Sequence, residues 1–202
     1  MNSATVPRQG GWWRHLLLKW RAQMLLVINR RDGALEIFDE MLGQWPDDAY
    51  ALASRAHVLA QAGRADAAMA DFRRLLDAQP EHAHAWFNLG FLLEQQGRLD
   101  EAEQAFRRAL ELESKLDRAW YGLGLVLIRQ HRYDEAVAAL KRNTELQPMS
   151  PHGWYQLARV HVDRQQPEEA AKIIRHLQGF EPKVAAQLER ETGLLGSPAG
   201  GH

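Results

Sequence analysis

Residues 83–116, AHAWFNLGFLLEQQGRLDEAEQAFRRALELESKL, carry two apolar stripes at helical spacing with a turn signal between them. Trp86, Leu89, Gly90 and Leu93 stand at i, i+3, i+4 and i+7; Ala102, Phe106, Ala109 and Leu110 form a second stripe downstream. That spacing predicts two amphipathic helices, each with one face turned to a core. Gly97 lies between them, where a positive φ costs glycine little.

The same register holds five times at a spacing of 34, as 15–48, 49–82, 83–116, 117–150 and 151–184. The twentieth position is always Ala: Ala34, Ala68, Ala102, Ala136 and Ala170. The eighth is always small (Ala22, Ala56, Gly90, Gly124, Ala158), and the twenty-fourth is large and apolar (Phe38, Phe72, Phe106, Leu140, Ile174). Small residues at the eighth and twentieth positions let paired helices cross closely. An acidic residue at the eighteenth, Asp32, Asp66, Asp100, Asp134 or Glu168, starts each second helix, where a carboxylate can cap N–H groups and meet the positive dipole end. Pro46, Pro80, Pro148 and Pro182 end four repeats, with Ser114 in the same place in the other. Gly63 repeats the turn role of Gly97.

This pattern resembles the tetratricopeptide repeat (TPR) family, whose unit reads Trp-x2-Leu-Gly-x2-Tyr, then Gly, Ala, Phe, Ala and Pro. Residues 83–116 carry it most fully; Trp120, Leu123, Gly124, Ala136, Leu140 and Pro148 carry it next, then Trp154, Leu157, Ala158, Ala170 and Pro182. The first two repeats depart, with Leu18 and Leu52 for Trp, and Arg21 and Arg55 where Leu is usual. The resemblance implies an all-α, right-handed α-solenoid of about ten antiparallel helices. A capping helix is expected at 185–195, opening from Pro182, with Val184, Leu188 and Leu195 to cover the last repeat. Residues 1–14 form a basic, Trp-rich lead-in, with 1–11 frayed; 196–202 read as a flexible tail.

Composition narrows the chemistry. The 202 residues are 46% hydrophobic and 25% charged, as in folded proteins, with a net charge of −1. That balance gives no reason to expect nucleic acid. Cys is absent, which excludes disulfides, thiolate ligands and cysteine nucleophiles. Arg far outnumbers Lys and Ala is abundant, the composition of a GC-rich bacterial gene. The most apolar stretch, Trp12 to Ile28, is broken by Arg14, His15, Lys19, Arg21 and Gln23, so no spanning segment or secretory leader is expected, and the default location is cytoplasmic. His82 and His84 are two apart and point apart on a helix; no metal site or other cofactor is expected.

In TPR proteins the first helix of each repeat lines a concave groove that holds a peptide. By that resemblance the partner-binding residues are Tyr50, His57, His84, Phe87, Asn88, Phe91, Arg118, Tyr121, Arg129, His152, Tyr155 and Arg159, with Glu94 and Gln156 alongside. Aromatic side chains offer contact area at low entropic cost, Arg pairs with carboxylates, and Asn binds peptide backbone. The alternative for Phe87 and Phe91 is packing between neighbouring helices. The carboxylate clamp of chaperone-binding TPR proteins is incomplete: of Ala53, His57, Asn88, Arg118 and Gly122, only Asn88 and Arg118 fit it. Trp86, Trp120 and Trp154 fall at the family's structural Trp position and are assigned to packing.

Residues 1–31 stand outside the repeat logic. They hold Arg8, Arg14, Lys19, Arg21, Arg30 and Arg31 and no acid. Trp12, Trp13, Leu16, Leu17, Trp20 and Met24 lie among these bases at roughly helical spacing. Such a helix either makes membrane-surface contact through residues 8–31 or opens the array, with its Trp side chains packed on repeat two; the second is the expectation. The resemblance implies a non-enzymatic scaffold or adaptor that binds another protein or a peptide in its groove. The alternative is a membrane-peripheral assembly factor or chaperone of a bacterial secretion, pilus or cytochrome-maturation system. The sequence leaves the oligomeric state open.

Overall fold

A computed structural model of the chain describes residues 11–195; the lead-in expected at 1–10 and the tail expected at 196–202 lie outside the described residues. Eleven α-helices occupy the described residues. They are α1 (Gly11–Val27), α2 (Arg31–Gln44), α3 (Ala49–Gln61), α4 (Ala65–Ala78), α5 (Ala83–Gln95), α6 (Leu99–Leu112), α7 (Asp117–Arg129), α8 (Tyr133–Leu146), α9 (Pro151–Asp163), α10 (Pro167–Gln178) and α11 (Pro182–Thr192). The second helices α2, α4, α6, α8 and α10 start 34 residues apart, as do the first helices α3, α5, α7 and α9. The chain forms two compact units that divide after Ala85. In the first unit α1 packs on α2, α2 on α3, and α3 on α4. In the second, α6 packs on α7 and each later helix on the next, with α9 also touching α7 and α11.

The recurring residues build the core. Ala34, Ala68, Ala102, Ala136 and Ala170 are fully buried, and so, within 2%, are Phe38, Phe72, Phe106, Leu140 and Ile174. A Cβ on Gly90 would stand 3.0 Å from the Phe106 ring, and one on Gly124 2.8 Å from Leu140. The eighth position is therefore small because the large residue of the same repeat fills the crossing. Gly122 approaches closer still: a Cβ there would lie 2.5 Å from Phe106 Cζ. Trp120 and Trp154 are half-buried, and their indole N–H groups donate to the carbonyls of Ser114 (2.9 Å) and Pro148 (2.8 Å), fixing the turn before each first helix.

One local expectation is corrected and another is widened. The eighteenth-position acids do not cap: the N-cap residues of α2, α4, α6 and α8 are Arg30, Arg64, Arg98 and Arg132, none with a side-chain cap bond. The acids sit in the first turn, in keeping with the helix dipole, and the carboxylates of Asp100 and Asp134 link repeats. Gln130 donates to Asp100 at 3.0 Å, and Arg164 pairs with Asp134 in the equivalent place. The turn glycines Gly63 and Gly97 do take a positive φ, as expected, and three other residues share it. Asn29 (φ 58°), Gly63 (75°), Gly97 (74°), His131 (60°) and Gln165 (57°) all occupy the fifteenth position in the left-handed region.

Arg55, the departure from Leu in repeat two, has a built partner set. Its guanidinium bonds both oxygens of buried Asp71, at 2.8 and 2.6 Å, and also reaches Asp39. The hydrogen bonds that Arg55 donates to Asp71 raise its pKa further, so the group stays charged. At the other end α11 buries Ala185 and Leu188, whereas Val184 is half-buried and Leu195 exposed, so Leu195 does not serve the cap.

The Trp residues of α1 overturn the packing expectation. Leu18 and Ala22 are the buried residues of this helix, while Trp12 (57%), Trp13 (61%) and Trp20 (58%) are exposed. Helix α1 does open the array, packing on α2, but its aromatic face points away from the rest of the unit.

Candidate functional site

In the second unit the candidate residues lie on first helices whose opposite sides are core. Leu89, Leu92 and Leu93 of α5, Leu123, Val126 and Leu127 of α7, and Leu157, Ala158 and Val160 of α9 are buried. With those sides fixed inward, helical spacing groups Arg118, Tyr121 and Arg129 on α7, and His152, Tyr155 and Arg159 on α9, each along one side of its helix. Phe87, Asn88 and Phe91 do the same on α5.

These side chains divide by what they already touch. The Phe87 ring lies 6.0 Å from that of buried Phe106 and belongs to the packing, whereas Phe91 is 47% exposed. Arg129 donates to the Glu94 carbonyl at 2.9 Å and to its carboxylate at 2.6 Å. The Tyr155 hydroxyl donates to Glu191 of α11 at 2.7 Å, and Arg159 stands 3.8 Å from the same carboxylate. Gln187 supplies the other Glu191 oxygen at 2.8 Å. The Tyr155 bond, then that from Gln187, hold the Glu191 carboxyl below its ordinary range. Asn88 and Tyr121 are half-buried and Arg118 and His152 exposed; none of the four has a hydrogen bond or ion pair among the described residues.

The other three candidates lie in the first unit. Tyr50 is half-buried, with the Phe38 ring at 6.2 Å and the Lys19 ammonium 4.2 Å above its own ring. His57 and His84 are exposed. Among the described residues no three His, Asp or Glu side chains converge on a point that could hold a metal.

Sequence reasoning missed Glu191. It lies in the cap, outside the repeat, so no periodic position pointed to it, yet it holds two candidate residues.

Paired helices repeating every 34 residues, each stacked on the next within its unit, define a helical-repeat protein. The chain belongs to the tetratricopeptide repeat family: models of that repeat match residues 54–117, 93–154 and 127–189, together more than half of the chain. A search of the curated proteins gave no match. Among solved structures, MamA superposes with a TM-score of 0.78 at 18% identity, over 91% of this chain and 97% of that one. YrrB, described as "a TPR protein with an unusual peptide-binding site", gives 0.74 at 22% identity, over 84% and 88% of the two chains. The pilF protein of Pseudomonas aeruginosa gives 0.68 at 19% identity, over 87% and 88%. These likenesses are of fold.

Proposed function

We propose that the second unit is a non-enzymatic scaffold that binds a peptide or a partner's segment along the side formed by α5, α7 and α9. The observation that carries this reading is Phe91, a large aromatic side chain left exposed on α5. The next first helix, α7, carries Arg118 and Tyr121, neither with a polar side-chain partner among the described residues. Tyr and Arg side chains left free to pair are the residue types in which binding hot spots are enriched, and an exposed aromatic ring adds contact area at low entropic cost. Tetratricopeptide repeats generally mediate protein–protein interactions, and the peptide-binding site of YrrB supports the same use of this fold.

The partner-binding set sharpens to Asn88, Phe91, Arg118, Tyr121 and His152. Arg129, Tyr155 and Arg159 already answer to Glu94 and Glu191, so a ligand would compete with those bonds. Selection of peptides from a displayed library on the full chain, followed by titration, tests the reading. Wild type is expected to bind the selected peptides, and Phe91→Ala/Arg118→Ala/Tyr121→Ala to bind about a hundredfold more weakly, since each lost hot-spot contact costs more than about 1 kcal/mol. Equal binding by both would place recognition elsewhere.

A further inference from the structure

We infer that α1 is an interfacial helix that docks the protein on an anionic lipid surface. The inference is independent of the peptide-binding reading and rests on the first unit alone. At about 100° per residue, Trp12, Leu16, Val27, Trp20, Trp13, Met24, Leu17 and Ile28 lie in that order around an arc of about 160°, with one exposed polar residue, Gln23, between Trp12 and Leu16. Every one of them is exposed, Ile28 lying just past the end of the helix. The opposite arc holds buried Leu18 and Ala22, by which α1 joins the fold. The helix is thus apolar on two sides, and only one of them is covered.

Charge identifies what covers the other. Arg14 and Arg21 border the exposed stripe along one edge and Lys19 along the other, while Arg30 and Arg31 follow at its end. No acid occurs in residues 1–31. Arg14 shares Glu40 at 2.9 Å with its side chain still 59% exposed, and Lys19 lies over Tyr50. Arg21, Arg30 and Arg31 have no ion pair among the described residues and line one open depression of about 930 Å³, with Asp32 and Glu36 also on its wall. Trp on an exposed apolar face with bases at its margins is the composition of a helix lying in a bilayer interface, aromatic rings at headgroup depth and cations against lipid phosphate.

A second copy of this chain fits the stripe less well. Two α1 helices paired antiparallel bring Arg14 and Arg21 of one copy against Arg21 and Arg14 of the other, and parallel pairing sets the Arg edge against Lys19. Bases meet bases in both cases. The rest of the chain offers little cover either: residues 1–10 contain only Met1 and Val6 as large apolar residues, and 196–202 contain none.

Sedimentation of the full chain with vesicles tests this, using phosphatidylcholine alone and with about one-third phosphatidylglycerol, an anionic headgroup that attracts bases. Wild type is expected to pellet with the anionic vesicles and far less with the neutral ones, more weakly as salt is raised. Leu17→Glu/Trp20→Glu alters exposed positions, so the fold stands by circular dichroism; it is expected to remain in the supernatant. Arg14→Gln/Arg21→Gln is expected to bind about thirtyfold more weakly, from two lost charges near the surface. Wild type staying in the supernatant, or Leu17→Glu/Trp20→Glu pelleting undiminished, overturns the inference. So does self-association in ultracentrifugation that Leu17→Glu/Trp20→Glu abolishes while neither form binds lipid.

Discussion

At the scale of single residues, the fifteenth position of each repeat makes the clearest demand. All five residues there lie at φ between 57° and 75°, yet only two are glycine. A side chain in that region costs about 1 kcal/mol or more. Gly97→Ala meets nothing nearer than Arg129 at 3.8 Å, so its cost is one of backbone alone. Urea unfolding should show Gly97→Ala destabilised by about 1 kcal/mol and Gln165→Gly stabilised by a similar amount. Opposite signs would mean that the turn is not held left-handed. Arg55 makes the second demand. Arg55→Leu restores the family's usual residue but strands Asp71, and a loss of about 3–5 kcal/mol is expected. Adding Asp71→Leu should recover most of that loss, because the buried charge is removed with its partner. A double variant no more stable than the single one would show that the pair contributes more than mutual compensation.

At the scale of helices, the 34-residue spacing and the positions of Ala102, Gly90 and Phe106 were enough to read paired helices and their crossing. Each such residue is locked to one periodic environment, and the packing distances at Gly90 and Gly124 show why. What the spacing could not convey lies where two solutions satisfy it. Helix α1 is apolar on two sides, so periodicity alone did not say which side, Leu18 with Ala22 or the three Trp, would face the fold. The left-handed turn at Asn29, His131 and Gln165 was hidden for a similar reason: none of these residues signals it as glycine does. The candidate site was legible as positions but not as occupancy, because Glu191 belongs to no repeat. Two predictions belong here. Gly122→Ala must move the Phe106 ring and should cost about 1–3 kcal/mol, whereas Gly43→Ala in α2 meets nothing within 4 Å and should gain about 1 kcal/mol; thermal unfolding reads both. The α6–α8 junction carries a closed ring of charge: Arg107 to Glu103 (2.8 Å), Glu103 to Arg132 (2.6 Å), Arg132 to Glu135 (2.7 Å) and Glu135 to Arg107 (3.0 Å). Burial pushes the Glu103 carboxyl up, but hydrogen bonds from Arg107, Arg132 and Gln130 outweigh it and hold its pKa below the ordinary carboxylate range; the Arg132 bond does the same for Glu135. A carboxyl whose folded pKa is depressed stabilises the fold above its unfolded value and loses that contribution as pH falls through the folded one. Stability should therefore decline as pH drops below about 4.5, with a shallower decline in Glu103→Gln, measured by urea midpoints across that window.

At the scale of the molecule, positive charge gathers in the first 31 residues of the chain. Residues 1–31 hold six bases and no acid, and the remainder carries 19 bases against 26 acids. Lipid docking by the first unit and peptide capture by the second would be separate acts of separate surfaces. Variants in α1 are expected to leave peptide affinity unchanged, and variants in α5 and α7 to leave vesicle binding unchanged. Stability in such an array is close to a sum over neighbouring repeats, so each surface can be altered without undoing the other. The most direct test of the central claim is NMR shift mapping of a selected peptide on the isotope-labelled full chain. Perturbations gathered on α5, α7 and α9, strongest around Phe91, Arg118 and Tyr121, are the expected result; perturbations gathered on the second helices α6, α8 and α10, or on α1, would contradict it.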